Sequence, residues 1–436
     1  MSNFFDKIFS IKQTDGNRHD VIRLFGFKIS KKTKNKKSDY KKFVDFIENN
    51  TQKNFIPFCE HEQKNFDVKP IAFYLPQYYT FKENDSWHGK GFTEWTNVAQ
   101  ARPLYQGHYQ PHIPYDVGFY TLNSDIFKRQ IELAKNYGIY GFSFYYYWFQ
   151  GKKIMEKPLY EYLHNKNLNF PFCLCWACEN WSKLWDGGNK EILLESKLEE
   201  NDIENFWNDI LPFFEDERYI KIDGRPLLIL YKPLVLDEAI LKRFVAKIKE
   251  FANNTEFKDV YILTVLSPDI INMSDEKFNQ FNFDGCCEFP PHGLTQNRDS
   301  YRNVICKKVY GYISKYLKGQ IFDIAEYIKN QRYNKISNPT RNIFRACFPS
   351  WDNSARKARS GCFIFDGETS DLYKTWLKDI ISWTLNNKRK NERFVFINAW
   401  NEWAEGAHLE PDLKHGYAYL QATYEALCES NKKKDC

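Results

Sequence analysis

The feature that most constrains this chain is the recurrence of eight apolar, aromatic-rich runs of strand length. They are IAFYLPQ (71–77), IYGFSFYYYW (139–148), FPFCLCWAC (170–178) and PLLILYKP (226–233). VYILTVLS (260–267), FDGCCEFP (283–290), IFRACFPSW (343–351) and RFVFINAW (393–400) complete the set. Most lack the polar–apolar alternation of a half-exposed strand, so burial on both faces is expected. Stretches with helical periodicity lie between them. DIFKRQIELAKNYG (125–138) has Gly138 as its expected stop, and DEAILKRFVAKIKEFANN (237–254) and SDLYKTWLKDIISWTLNN (370–387) follow the same pattern. Doubly buried strands alternating with helices imply a parallel sheet. Eight repeats favour a (β/α)8 TIM-like barrel, an α/β fold, over an open doubly wound sheet.

The barrel is expected over residues 70–430, with 1–69 as a short basic N-terminal appendage. HDVIRLFGFKIS alternates like a strand pair, and DYKKFVDFIENN (39–50) is helix-like. The net charge of +6 is concentrated in KISKKTKNKKSDYKK (28–42) and NKKKDC (431–436). No nucleic-acid-binding module accompanies these runs, so a nucleic-acid partner is not expected. A solvated tail is the simplest reading of them, and contact with an anionic membrane surface is the sharper one. The 11 cysteines are odd in number and mostly sit inside apolar runs, as reduced buried thiols would. The start lacks a signal-peptide core, and no run is long enough to span a bilayer. The expected location is therefore cytoplasmic, peripheral on the inner membrane if the arm touches it.

Several chemistries lack their residues. GKGFTE (89–94) misses the third glycine of a dinucleotide fingerprint, there is no G-x-S-x-G elbow, and no Asp-x-Asp offers metal ligands. His108 and His112 are four apart, but Pro111 between them disfavours the helix that would align them. No cofactor and no metal are expected.

In a (β/α)8 barrel the reactive groups sit where strands end, and here those ends collect aromatic and polar residues. The first run delivers Tyr74, Gln77, Tyr78, Glu83, Asn84, Trp87, Glu94 and Trp95. The second delivers Tyr145, Tyr146, Tyr147 and Trp148, and the third Trp176, Glu179, Asn180, Trp181, Trp185 and Asp186. Tyr231, Glu288, His292, Trp351, Asp352 and Asn353 come from later runs, and Asn398, Trp400, Asn401 and Trp403 from the last. A rim of rings and hydrogen-bonding groups suits a sugar, whose C–H faces pack on aromatics.

The segment NAWNEWAEGAHLEP (398–411) carries Glu402 and Glu405 three apart. Extended backbone would send them to opposite faces, whereas a helical turn would set them side by side. Two adjoining carboxyls next to indoles cannot both ionise freely, which supplies one acid and one base. Glycosyl transfer through an oxocarbenium-like state needs that pair.

IAFYLPQYY, ENDSWHGKGFTEWTNV, GHYQPHIPYDVGFY, YGIYGFSFYYYWF, FPFCLCWACENW and FVFINAWNEWAEGAHLEPD resemble the WbsX-type family. Its members occur among bacterial O-antigen and capsule biosynthesis proteins and are usually described as glycosyltransferases. That family is similar in fold to glycoside hydrolase family 99, the endo-α-mannosidases. The resemblance runs from about residue 70 to 425. It implies a glycosyltransferase acting on an oligosaccharide or lipid-linked glycan in cell-surface polysaccharide biosynthesis. A retaining endo-α-mannosidase-like hydrolase is the alternative, and a non-catalytic glycan-binding barrel a second one. It further implies that Glu402 is the base, acting through the sugar's own 2-hydroxyl to give an epoxide-like intermediate, and Glu405 the acid. Two positions depart from the family pattern: Tyr146 stands where a histidine is usual, and Cys178 where an asparagine is.

Overall fold

A computed structural model describes residues 55–105, 107–182, 192–294, 319–330, 340–357 and 361–431, with the backbone of strands at 9–13, 19–24 and 27–32. Trp185, Asp186, most of the lysine run on which the membrane expectation rests, the helix-like 39–50 and the terminal lysines lie outside these residues. The chain divides into two compact units, 1–55 and 56–436. In the first, Phe9–Gln13, His19–Leu24 and Phe27–Lys32 form an antiparallel sheet, with Ile22 opposite both Ile11 and Ile29. The alternating HDVIRLFGFKIS is thus a hairpin.

The second unit holds β1 (Lys69–Tyr74), β2 (Gly141–Phe149), β3 (Phe172–Ala177), β4 (Arg225–Tyr231) and β5 (Tyr261–Val265). β6 (Gly285–Cys287), β7 (Ile343–Phe344), β8 (Ala346–Cys347) and β9 (Phe394–Ile397) follow. They pair, all in parallel, in the order β7-β6-β5-β4-β3-β2-β1-β9-β8. This is a nearly closed parallel barrel flanked by helices, broadly of TIM-barrel type. All eight expected runs contribute. The seventh supplies two segments because it breaks at Arg345, whose side chain is buried and reaches Glu288 Oε2 with Nε at 2.9 Å. Its first half pairs with β6 and its second with β9, so the two ends of the path lie one residue apart in the chain.

The expected helices appear as α1 (Ser124–Asn136), α2 (Glu238–Asn253) and α3 (Ser370–Asn387). Their starts are fixed by side-chain caps. Asn123 accepts from the N–H groups of Asp125 and Ile126, Asp237 from Ala239 and Ile240, and Thr369 from Leu372. α1 ends where Gly138 takes φ +81°, with Phe66 and Leu427 side chains against the place a Cβ would occupy.

Residues 56–69, expected in the arm, pack on the barrel unit instead. Ile56 N–H donates to His415 O at 3.0 Å, and the His61 ring stacks on Tyr424 at 3.8 Å. Among the described residues, no helix is long and apolar enough to cross a membrane.

Candidate active site

Beyond β9 the chain forms a small antiparallel pair, Asn401–Glu402 with Ala407–His408, closed by the 3-10 turn Trp403–Glu405. Glu402 caps the start of this turn and Glu405 closes it, so one tight turn sets the two side chains near each other. Glu402 and Glu405 therefore meet the same partner. Arg356 Nη2 donates to Glu402 Oε2 at 3.0 Å and Nη1 to Glu405 Oε1 at 2.9 Å, while Nε reaches Glu94 Oε1 at 2.7 Å. Gly406 ends the turn at φ +59°, where a Cβ would lie 3.0 Å from Asp352 N. The turn and the loop leading to Arg356 approach more closely than a side chain at 406 would comfortably allow.

The turn is anchored from below. Asn401 Oδ1 accepts from Leu75 N–H at 2.8 Å and its Nδ2 donates to Leu75 O at 3.0 Å, while the Tyr78 hydroxyl donates to Asn401 O. Trp403 Nε1 donates to Glu410 Oε2 at 2.6 Å, and Gln130 Nε2 to Glu410 Oε1 at 2.6 Å. Burial pushes the Glu410 carboxyl up to about 7.

Three carboxylates around one guanidinium would leave surplus negative charge in a nearly dry site, so a proton is retained. Burial pushes Glu402 up to about 8; Arg356 opposes this, and the charges of Glu405 and Glu94 add to it. At neutral pH Glu402 therefore mostly holds its proton, the reverse of the base role that the family resemblance implies for it.

Glu402 and Glu405 line a cleft of about 570 Å³ with Tyr145, Tyr147, Glu179, Asn180, Tyr231, Lys232, His292, Trp351, Asn353 and Lys357. That is an ordinary size for a ligand pocket. A recess holding Gln77, Glu94, Trp181 and Arg356 shares Tyr147 and Glu402 with it. Lys232 Nζ donates to Glu179 Oε2 at 2.7 Å, whereas Glu179 Oε1 is buried with no hydrogen-bond partner among the described residues. Burial raises the Glu179 carboxyl. Burial, with Lys232 and Lys357 nearby, lowers His292 to about 3, so its ring is neutral and shares a hydrogen bond with the Tyr231 hydroxyl at 3.1 Å.

The structure thus brings Gln77, Glu94, Glu179, Asn180, Trp181, Tyr231, Trp351, Glu402 and Glu405 to the cleft and its recess. Trp87 reaches only their margin, packing on Trp181 with ring centroids 6.0 Å apart. Other expected binding residues are not lining groups. Tyr146 and Trp148 face away from the cleft, against Phe206, and Trp176 packs on Phe206 and Phe244. The cause is strand parity: Tyr145 and Tyr147 point inward, so their neighbours point outward. Tyr74 is buried and bonded to Gln130, and Trp95 donates to Tyr120 O. Tyr78, Asn401 and Trp403 anchor the turn that bears Glu402 and Glu405. Asn398 donates to Pro290 O, Trp400 packs on Phe142, and Glu288 holds Arg345 and the Ala346 N–H. The two departures from the family pattern also fall outside the cleft lining: Tyr146 as above, and Cys178, buried with its Sγ 3.5 Å from Trp176 O.

Arg356, Lys232 and Lys357 were not among the expected site residues. A signal for the first existed, because clustered buried acids need a cation and ARKAR (355–359) begins just past the seventh run, after Asp352, Asn353 and Ser354.

Residues 70–423 match the model of a family described as glycosyltransferase WbsX. Two proteins from strains of Xanthomonas campestris pv. campestris, both described as uncharacterized protein WxcX, are 35% and 34% identical over 358 residues. The matches cover 82% of this chain and 49% of each relative, so the chain spans about half their length. The fold is similar to that of an endo-alpha-mannosidase of glycoside hydrolase family 99 from Bacteroides thetaiotaomicron. The TM-score is 0.50 at 15% identity, covering 85% of this chain and 100% of the other.

Proposed function

The chain belongs to the WbsX family, and from that premise we propose that it is a glycan-active enzyme breaking a glycosidic bond, with Glu402 and Glu405 as its acid–base pair. The observation that carries this reading is the convergence of both carboxylates on Arg356 at the wall of one cleft. One carboxyl protonates the departing glycosidic oxygen. The other, ionised, takes the proton of the sugar's own 2-hydroxyl, whose oxygen displaces the leaving group and closes an epoxide-like ring. Water then opens that ring at the anomeric carbon: the first carboxylate takes the water's proton, the second carboxyl returns its proton to the 2-oxygen, and both regain their starting states with net retention. Tyr145, Tyr147 and Trp181 offer ring faces to the sugar, and Glu179 Oε1 accepts from a hydroxyl.

The fold likeness to a family of hydrolases supports hydrolysis of an endo-α-mannosidase type as the leading reading. The family's description favours transfer to a glycan acceptor as the second. The chemistry at the anomeric carbon is shared, and only the final acceptor differs. The test is to incubate the purified chain with α-mannoside oligosaccharides, with and without an acceptor sugar, and follow anomeric protons by NMR. Release of α-anomer is expected. Formation of β-anomer first would overturn the retaining route, and no turnover in either mixture would overturn the activity.

A further inference from the structure

Outside the cleft, a second group of chemistry-bearing side chains converges. Nitrogen atoms of His112 and His408 and a carboxylate oxygen of Asp412 all lie within 4.8 Å of one another, and all three residues are buried. Hydrogen bonds fix much of the arrangement. His408 Nδ1 lies 2.9 Å from the carbonyl oxygen of Glu410, which can only accept, so Nδ1 carries the hydrogen. His408 Nε2 then presents a lone pair. It faces His112 Nδ1 at 2.8 Å and Asp412 Oδ2 at 3.8 Å. Asp412 Oδ1 is engaged by the N–H groups of Lys414 and His415 at 2.8 and 2.7 Å, and Oδ2 is 3.0 Å from His415 Nδ1.

An imidazole whose far nitrogen is tied to a backbone carbonyl is oriented as metal-ligating histidines are. A plain hydrogen bond from His112 to His408 also fits those two rings, but it leaves one group unexplained. The Tyr109 ring stacks on His112 at 4.3 Å and meets His415 edge-on at 5.6 Å. Its hydroxyl is buried close to the Asp412 carboxylate, yet makes no hydrogen bond of ordinary geometry among the described residues. A polar atom left without such a bond at a cluster of ligand atoms is what an absent ion with a bound water would satisfy.

We propose that His112 Nδ1, His408 Nε2 and Asp412 Oδ2 hold one divalent cation of the zinc class, with water as the fourth ligand on the Tyr109 side. Two imidazoles and one carboxylate suit that class better than calcium or magnesium, which take oxygen ligands. The site is structural. His408 pairs with Asn401 across the two-stranded element that carries the catalytic turn, and its ring stacks on Trp403 at 3.8 Å. The ion would thus clasp the 108–112 loop to the base of that turn without entering the cleft, and the inference stands whether or not the proposed activity does.

The test uses the full chain, stripped with a chelator and titrated with cobalt(II) alone. Visible d–d bands of a four-coordinate site are expected, saturating at one equivalent and bleached by zinc. His112→Gln should lose them, while His61→Gln, on a different imidazole, keeps them. X-ray absorption of the zinc-loaded wild type should show two imidazoles and oxygen, which decides the matter if His112→Gln does not fold. Absence of cobalt bands in folded wild type, bands that survive in His112→Gln, or a zinc shell without imidazoles would each overturn the proposal.

Discussion

At the scale of single residues, Glu402 is the group with most at stake. Its carboxyl keeps a proton up to about pH 8 in the fold, against an ordinary value of 4.5. The unfolded chain releases that proton earlier, so the stabilisation from Glu402 is full below about 4.5 and is lost as pH rises through about 8. Glu402→Gln, neutral at every pH, does not suffer this loss. The variant should match wild type in thermal unfolding near pH 5 and exceed it at pH 8 by on the order of 1 kcal/mol or more. A stability difference independent of pH would show that Glu402 is ionised throughout. Trp176 gives the opposite kind of test. Packed on Phe206 and Phe244 away from the cleft, Trp176→Ala should cost about 3–5 kcal/mol in denaturant unfolding and leave KM unchanged. A raised KM at unaltered stability would return it to the binding surface. The meeting of Glu402 and Glu405 was legible because a turn sets side chains three apart beside one another. The inward-facing tyrosines were not, since FYYYWF is buried on both faces and its composition carries no mark of parity. Arg356 was masked rather than unmarked: the clustered acids call for a cation, but in ARKARS it reads as one member of a solvated basic run.

At the scale of elements, the site depends on two loops meeting at Gly406. Its positive φ and the 3.0 Å approach of Asp352 N leave no comfortable place for a methyl group. Gly406→Ala should keep the circular dichroism of the fold while the turn bearing Glu405 shifts against Arg356, lowering kcat on the order of a hundredfold. Wild-type turnover in that variant would mean the turn tolerates displacement. The helices α1, α2 and α3 were legible to within two residues at each end, because capping residues and helical period agree there. The division of the seventh run was not. Nothing in IFRACF marks Arg345 as a break, and the reason lies far away in sequence, where Glu288 draws its guanidinium inward. Residues 56–69 were equally opaque, since their attachment comes from contacts such as His61 on Tyr424.

At the scale of the whole molecule, counting doubly buried strands between helices was enough to reach a parallel barrel. It was not enough to separate transfer from hydrolysis. That choice turns on which acceptor enters a cleft of about 570 Å³, and side-chain chemistry at the anomeric carbon is the same for both. The central claim is narrower: one of Glu402 and Glu405 gives a proton to the leaving oxygen and the other takes one. The most direct measurement is the rate of each Glu→Gln variant on glycosides with poor and with activated leaving groups. An activated leaving group needs no proton, so the variant lacking the acid should recover on it to near wild-type rate. The variant lacking the base should stay slow on both, by about 10²–10⁴-fold. Two folded variants that both turn over the poor substrate at wild-type rate would contradict the account.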